Sequence, residues 1–522
     1  MKDINTSTFS FEKIIKGNFL YVDKTDFVWN LVRPDAGEYF LSRPRRFGKS
    51  LLVSTLKAIF QGRRELFKGL AIDKVDYDWK PYPVIHLDFG ACMAVTEDEL
   101  ATFLELRLEE CASDHKLVLK APTPQERFIE LVKKLANGGQ VVILVDEYDK
   151  PILGNISNSH VPEILRLLKG FYSVIKTYEA FIRFAFITGV SKFSHVSLFS
   201  DLNNLTDITL DSDYAGMLGF TEMEIRKYFA DRIPLAAKAN GVSKEELMQK
   251  LLKWYDGYRF SDAETHVCNP VSLSSFFLKK YKFSNYWDST GMPSFLLQLA
   301  KEKEYDYEAA LTRFYGESIF SAYELDKLDV TGLLWQTGYL TIKEVSKGLK
   351  GLQYRLGFPD YEVAETFNMR LLEDYGKVGK GVGDSLIDSF VEAIVADDLA
   401  EFMKLFQSFL ANITYDMHLP YEKYYQTIFF VVFKLIGASI EAESRTNEGR
   451  IDAYIRTQKN LYLFEFKLDK TAEIAIEQIT DHHYYEKFLT SNLPVVMVGV
   501  NFNSKKGRID DWKVISAPNG VK

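Results

Sequence analysis

Cysteine is almost missing from this chain of 522 residues. Its three copies, Cys92, Cys111 and Cys268, stand far apart. They offer neither a disulfide framework nor a metal-finger spacing, and a reducing compartment is expected. No apolar core follows the opening MKDINTSTFSFEK, so no secretory signal is expected. Long hydrophobic runs are missing too. The longest candidate, residues 428–433, meets Lys434 far short of the ~20 residues a membrane helix needs. Together these absences make a cytoplasmic protein without membrane contact the expectation. A positive excess is also lacking: 64 Lys and Arg against 72 Asp and Glu leave a net charge of −8. That excludes a general nucleic-acid coat and confines any DNA contact to a local basic surface. What remains, 47% hydrophobic and 26% charged, is an ordinary globular composition. The length suffices for two or three domains, each able to bury a core.

Against that background two N-terminal segments stand out. The first is Phe40-Leu41-Ser42-Arg43-Pro44-Arg45-Arg46-Phe47-Gly48-Lys49-Ser50. A strand running into a turn that ends Gly-Lys-Ser, followed by a helix, cradles phosphate. Backbone N–H groups face the oxygens, Lys49 reaches the β and γ positions, and the Ser50 hydroxyl holds Mg²⁺. The pattern departs from the rule at its start, where Arg43 replaces the first glycine. The second segment is Val141-Val142-Ile143-Leu144-Val145-Asp146-Glu147. Five apolar residues ending in two carboxylates read as a buried parallel strand with a metal ligand and a water-activating base at its tip.

Periodicity places strands at 38–42, 83–88, 141–145, 183–189 and, briefly, 208–210, with helices at 49–61, 97–111, 124–137 and 161–179. Such alternation implies a parallel sheet covered on both faces. Thr221 and Glu224 form a capping box that opens a mostly helical stretch reaching about 375. The glycine-rich 376–384 reads as a linker. Helices are expected at 385–412 and 421–437, then a hairpin of strands 450–455 and 461–468, a helix at 472–489 and a buried strand at 494–500. The fold class is therefore α/β: a P-loop parallel sheet (1–218), a helical lid or middle region (219–375) and a small C-terminal α/β domain (385–522).

That last domain carries a second constellation. Strand alternation puts Glu465 and Lys467 on one face of an otherwise apolar strand, and Asp452 lies on the preceding one. Two carboxylates and a lysine suit a divalent metal and a polarised water. A plain surface ion pair between Glu465 and Lys467 is the alternative. Gln478 and Glu422 are weaker candidates. His482 and His483 read as helix surface, and Lys505-Lys506-Gly507-Arg508 as a solvated turn.

These residues resemble a bacterial family with an N-terminal AAA-ATPase-like domain and a C-terminal PD-(D/E)xK nuclease-superfamily domain, of restriction-endonuclease-like fold. The resemblance spans nearly the whole chain. It rests on Tyr21-Val22-Asp23-Lys24-Thr25, the Arg43–Ser50 loop, Val145-Asp146-Glu147-Tyr148-Asp149 and Ile187-Thr188-Gly189-Val190-Ser191-Lys192. Tyr255-Asp256-Gly257-Tyr258, Asn269-Pro270, Gly449-Arg450-Ile451-Asp452, Phe464-Glu465-Phe466-Lys467 and Gln478 extend it. It implies ATP held by Arg45, Arg46, Phe47, Gly48, Lys49 and Ser50, with Mg²⁺ on Ser50 and Asp146 and Glu147 as base. Thr188 or Ser191 would sense the γ-phosphate. Asp452 and Glu465 would hold the nuclease metal and Lys467 orient its water. Arg45 and Arg46 would meet phosphate, or a partner subunit's nucleotide, or nothing. DNA, and further copies of the chain joined through the ATPase domain, are the expected partners. The competing function is a nucleotide-switched regulatory or nucleic-acid-binding protein whose nuclease-like domain does not cut.

Overall fold

The structure is a computed structural model. It describes all residues except 157, 193–203, 288–293, 304, 322–327, 350, 377, 380, 412–421, 437–443, 447–448, 490–492, 504–505, 507 and 519–522. The chain forms two compact units. The first comprises Met1–Leu296 with Leu311–Ala364, the second Leu297–Ala310 with Glu365–Lys522.

The first unit is built on strands β1 (Gly37–Ser42), β2 (Val84–Asp88), β3 (Val141–Asp146), β4 (Ile182–Gly189) and β5 (Thr206–Asp207). They pair in the order β2-β3-β4-β1-β5, all parallel. Every residue of β3 and β4 is buried. This follows from the unbroken apolar run of β3 before Asp146 and the apolar residues of β4 around Arg183, whose guanidinium donates to Val32 O, a pattern that suits strands covered on both faces. Helices Glu97–Asp114, Pro124–Ala136 and Val161–Thr177 cover one face, packing Leu104, Phe128 and Phe171 against Ile85, Ile143 and Ala185. Helix Lys49–Phe60 covers the other, with the Phe60 ring centroid 4.7 Å from that of Phe184. The order brings β1 and β3 to either side of β4, so the loop after β1 and the carboxylates after β3 share the C-terminal edge of the sheet. That edge is where such sheets bind ligands.

The fifth strand lies at Thr206–Asp207, earlier than the expected 208–210. Ile208 is buried and Thr209 turns to serve the phosphate loop instead. The capping box of Thr221 and Glu224 opens helix Glu222–Tyr228 as expected. The following stretch is less helical than its sequence suggests. Strands β6 (Phe314–Gly316), β7 (Thr341–Gly348) and β8 (Gly351–Gly357) form an antiparallel sheet in the order β6-β8-β7. Helix Val330–Thr337 precedes β7 and is buried along its whole length.

In the second unit the expected helix at 385–412 is two, Val382–Val395 and Leu399–Ala411. Asp397 sits between them in a left-handed conformation, φ 57°, and Asp398 caps the second by accepting from Glu401 N–H. The stretch 376–384 lies inside this unit and is not an open linker where described. A Cβ at Gly376 would come 2.6 Å from the Phe409 ring, and Gly383 lies within a helix against Met369. After helix Glu422–Ile436 come the short pair β9 (Ser444–Thr446) and β10 (Gly449–Ile451). A mixed sheet follows, of β11 (Ala453–Arg456), β12 (Leu461–Leu468), β13 (Val495–Asn503) and β14 (Arg508–Ser516), in that order. Helix Ala472–Asp481 links the parallel pair β12 and β13 and lies so close that a Cβ at Gly499 would meet Ala472 O at 2.4 Å. Among the described residues, no helix is long and apolar enough to cross a membrane.

Candidate functional site

The loop between β1 and helix Lys49–Phe60 is shaped by two left-handed residues, Arg46 at φ 67° and Gly48 at φ 93°. A Cβ built on Gly48 would meet nothing within 4 Å, so glycine is required there for its backbone and leaves open space beside the helix start. Lys49 is buried, and its ammonium donates to Arg43 O and Pro44 O, each at 2.9 Å. Burial lowers its pKa, opposed by the charges of Asp146, Asp149 and Glu147. A phosphate entering the loop has only to replace two carbonyl oxygens around an ammonium already in position.

Arg43, standing where a glycine is usual, points inward. Its guanidinium donates to Ser42 O at 2.9 Å and Thr209 O at 2.7 Å and lies 4.3 Å from the Phe260 ring centroid. It is 1% exposed, and burial pulls its pKa down to about 9. The residue anchors the start of the loop to the segment that follows β5. Phe47 is likewise structural, its ring edge-on to Tyr258 at 4.7 Å and to Phe260 at 5.3 Å. Arg46 donates to Tyr286 O at 2.6 Å, and Arg45 is exposed.

Asp146 ends β3, with the Ser50 hydroxyl close enough to favour its ionised form. The structure thus joins the two segments that the sequence holds about a hundred residues apart. Burial pushes Asp146 up to about 6, against the pull of Ser50 and Lys49. Glu147 follows in a left-handed conformation, φ 52°, strained backbone of the kind that collects at functional sites. Asp88, the last residue of β2, lies in register with Asp146. A Cβ at Gly90 would stand 3.1 Å from Asp88 Oδ1 and 3.5 Å from Glu147 Oε2, so Gly90 leaves room for both carboxylates. Asp88 was missed in the sequence, although it ends an apolar strand just as Asp146 does.

The two expected phosphate sensors are occupied otherwise. The Thr188 hydroxyl donates to Leu41 O at 2.8 Å and stitches β4 to β1. Ser191 donates through N–H and hydroxyl to Asp149 Oδ2, each at 2.6 Å, and Val190 N–H adds a third bond at 3.0 Å. Asp149 therefore shapes the turn after β4, a role its sequence position did not disclose.

In the second unit Asp452 falls at the break between β10 and β11, and its Oδ2 accepts from Phe466 N–H at 2.8 Å. Lys467 donates to Glu465 Oε1 at 2.9 Å, with both side chains buried. The exposed ion pair that would have made these residues ordinary is thereby excluded. Glu465 Oε2 is buried with no hydrogen-bond partner. Burial, then the neighbouring Asp452 charge, pushes Glu465 up to about 8. A buried carboxylate oxygen without a donor, beside a second carboxylate, fits a divalent cation. Among the described residues no three His, Cys, Asp or Glu side chains converge on one point. Gln478 is half-buried on helix Ala472–Asp481. Glu422 opens its helix, but its side chain lies outside the described residues, as do Lys505 and Gly507. Lys506 and Arg508 both face Asp510, at 3.6 and 3.5 Å. His483 Nδ1 lies 3.1 Å from Glu486 on an exposed surface.

Comparison with known proteins agrees with this division. The family model described as "Predicted AAA-ATPase" matches residues 6–199, and that described as "PD-(D/E)XK nuclease superfamily" matches residues 420–512. The "Uncharacterized protein in vnfD 5'region" of Azotobacter chroococcum mcd 1 is 36% identical over 514 residues, 95% of either chain. The chain belongs to this AAA-ATPase-like family with a C-terminal PD-(D/E)XK domain. Within this AAA-ATPase-like chain, the first unit holds the phosphate loop and the β3 carboxylates. The second holds the Asp452, Glu465 and Lys467 set of its PD-(D/E)XK domain.

Proposed function

We propose that this AAA-ATPase-like protein binds and hydrolyses ATP at the loop of Gly48, Lys49 and Ser50, and that its C-terminal domain cleaves phosphodiester bonds of DNA with a divalent metal. The observation that carries the reading is the Glu465 carboxylate, whose Oε2 is buried without a donor while its Oε1 accepts from Lys467 at 2.9 Å, with the Asp452 charge close by. Such a group is costly unless something binds it.

In the ATP site Lys49 and the N–H groups at its helix start would hold phosphate, and Ser50 and Asp146 would hold Mg²⁺. The mainly apolar cavity of about 90 Å³ beside Gly48, bordered by Tyr21, Val22, Phe47, Leu51, Met217 and Leu218, suits a nucleobase. Glu147 would take the proton of the attacking water. In the nuclease site Asp452 and Glu465 would hold the metal, which supplies Lewis-acid stabilisation of charge developing on phosphate. Lys467 would then exchange its bond to Glu465 for one to the attacking water.

The test is incubation of the full chain with plasmid, linear and single-stranded DNA, with Mg²⁺ or Mn²⁺, with and without ATP. Cutting is expected from the wild type and from neither Asp452→Ala nor Lys467→Ala, while all three release phosphate from ATP. Equal cutting by wild type and Asp452→Ala identifies a contaminant. If no DNA or RNA is cut under any metal and nucleotide condition, the chain is instead a nucleotide-switched binding protein.

A further inference from the structure

The phosphate loop is held from outside by residues distant in sequence. Arg46 adopts a left-handed backbone, unfavourable for a side chain with a Cβ, and persists there only if its surroundings fix it. Its guanidinium donates to Tyr286 O at 2.6 Å. The same Tyr286 and its neighbour Trp287 turn their N–H groups onto Glu362 Oε1, the Trp287 bond measuring 2.6 Å. Glu362 is 0% exposed; burial pushes its pKa up to about 7, against the pull of Ser272, of the two backbone N–H groups and, least, of the Arg46 charge. Two positions before Arg46, Pro44 packs on Gly338, where a Cβ would come within 2.6 Å of the proline and φ is 89°. Both contacts come from the segment after residue 280, outside the β1–β5 sheet that carries the loop.

We propose that Glu362 is a positioning residue for the phosphate loop, acting through the Tyr286–Trp287 backbone and the Arg46 guanidinium. The inference rests on the ATP-site reading above and deepens it. Glu362 touches no part of the loop's phosphate-facing surface, so its removal changes how the loop is shaped and not which groups meet phosphate. Two backbone donors lose their shared acceptor, the carbonyl that anchors Arg46 drifts, and residue 46 relaxes from its left-handed state. The ammonium of Lys49, bonded to the carbonyls of residues 43 and 44 of that loop, shifts with it.

The experiment uses the full chain and a fluorescent N-methylanthraniloyl derivative of ATP, with phosphate release measured in parallel. Glu362→Ala is expected to weaken binding about tenfold, the scale of a lost hydrogen bond, with turnover at saturating ATP within about twofold of wild type. Glu362→Gln keeps a carbonyl acceptor and should stay within about threefold in affinity. Arg46→Ala should weaken binding as much as Glu362→Ala, and the double variant should bind no more weakly than either single one, because both cut one chain of contacts. Should Glu362→Ala not fold, Glu362→Asp, which shortens the reach by one methylene, takes its place in the cycle. Wild-type affinity in the Glu362 variant, or losses that multiply in the double variant, overturns the proposal. Absence of binding by the wild type overturns the ATP-site reading and takes this inference with it.

Discussion

Replacing Arg43 with glycine restores the usual phosphate-loop pattern, and the structure predicts that the restored pattern harms the protein. The guanidinium makes two short bonds to buried carbonyls, at 2.9 and 2.7 Å, and stacks over Phe260 at 4.3 Å. Bonds from a charged donor contribute ~1.5–3 kcal/mol each. A desolvated cation over an aromatic face contributes ~2 kcal/mol, and glycine adds ~1 kcal/mol of unfolded-chain freedom. These sum to roughly 8 kcal/mol by those rules. The buried charge itself works the other way. Holding a guanidinium whose pKa has fallen from 12.5 to about 9 costs ~5 kcal/mol, relieved in the variant. Arg43→Gly should therefore lose ~3 kcal/mol, the difference of those two terms. Urea denaturation followed by intrinsic fluorescence reads that loss as a lower midpoint at unchanged slope. ATP affinity should fall as well, because Arg43 O and Pro44 O, the present partners of Lys49, are carried by the anchored loop start. A variant as stable as wild type that binds ATP more tightly would refute the reasoning and show Arg43 to be a dispensable substitution.

Three further outcomes are expected. Lys49→Ala should weaken binding of the fluorescent nucleotide, whereas Glu147→Gln should bind it normally and release phosphate ~100-fold more slowly; unchanged turnover in the latter removes the role of Glu147. Glu465 has its pKa raised from 4.5 to about 8, so the metal-free folded chain keeps a proton there that the unfolded chain releases. Stability contributed by this site is thus present at low pH and lost as pH rises from 4.5 to about 8. Urea midpoints in EDTA from pH 5 to 8.5 should show that decline flattened in Glu465→Gln, and parallel curves for the two proteins would exclude it. Gly257→Ala should destabilise the first unit by more than ~3 kcal/mol, since φ is 127° and the new Cβ would meet Pro359 O at 2.1 Å. A thermal midpoint equal to wild type would show that the segment relaxes freely.

Elements whose residues are buried on both faces were legible in the sequence. β3 is a continuous apolar run before Asp146, and β4 is apolar apart from Arg183 and Thr188, whose side chains are buried on backbone carbonyls. The strands that escaped notice are half-exposed. β7 and β8 carry Lys343, Glu344, Lys347 and Arg355 on a twisted hairpin, and β14 exposes most of Arg508–Ser516 at the sheet edge. Their charged, irregular patterns resemble loops because one face never needs an apolar residue. Among site residues, the approach of Ser50 to Asp146 and the shared strand face of Glu465 and Lys467 followed from motif spacing. The inward turn of Arg43 and the diversion of Thr188 and Ser191 to backbone bonds did not, because spacing identifies a side chain without saying where its polar atoms are satisfied. Asp397 could have been read as a break, since paired aspartates before an apolar helix form a natural cap.

The order β2-β3-β4-β1-β5 also sets a timetable for synthesis. β1 leaves the ribosome first, yet its flanking strands are β4 and β5, and the Thr188 bond to Leu41 spans 147 positions. At ~5–20 residues per second, β1 waits on the order of 10–30 s for its first neighbour. The Arg46 tether to Tyr286, spanning 240 positions, is completed later still. The nascent phosphate loop therefore spends that interval as an unpaired apolar strand followed by a basic turn, a segment suited to a chaperone's grip. Slowing translation after residue 60 should lengthen that exposure, whereas slowing it after residue 364 should leave the finished loop untouched.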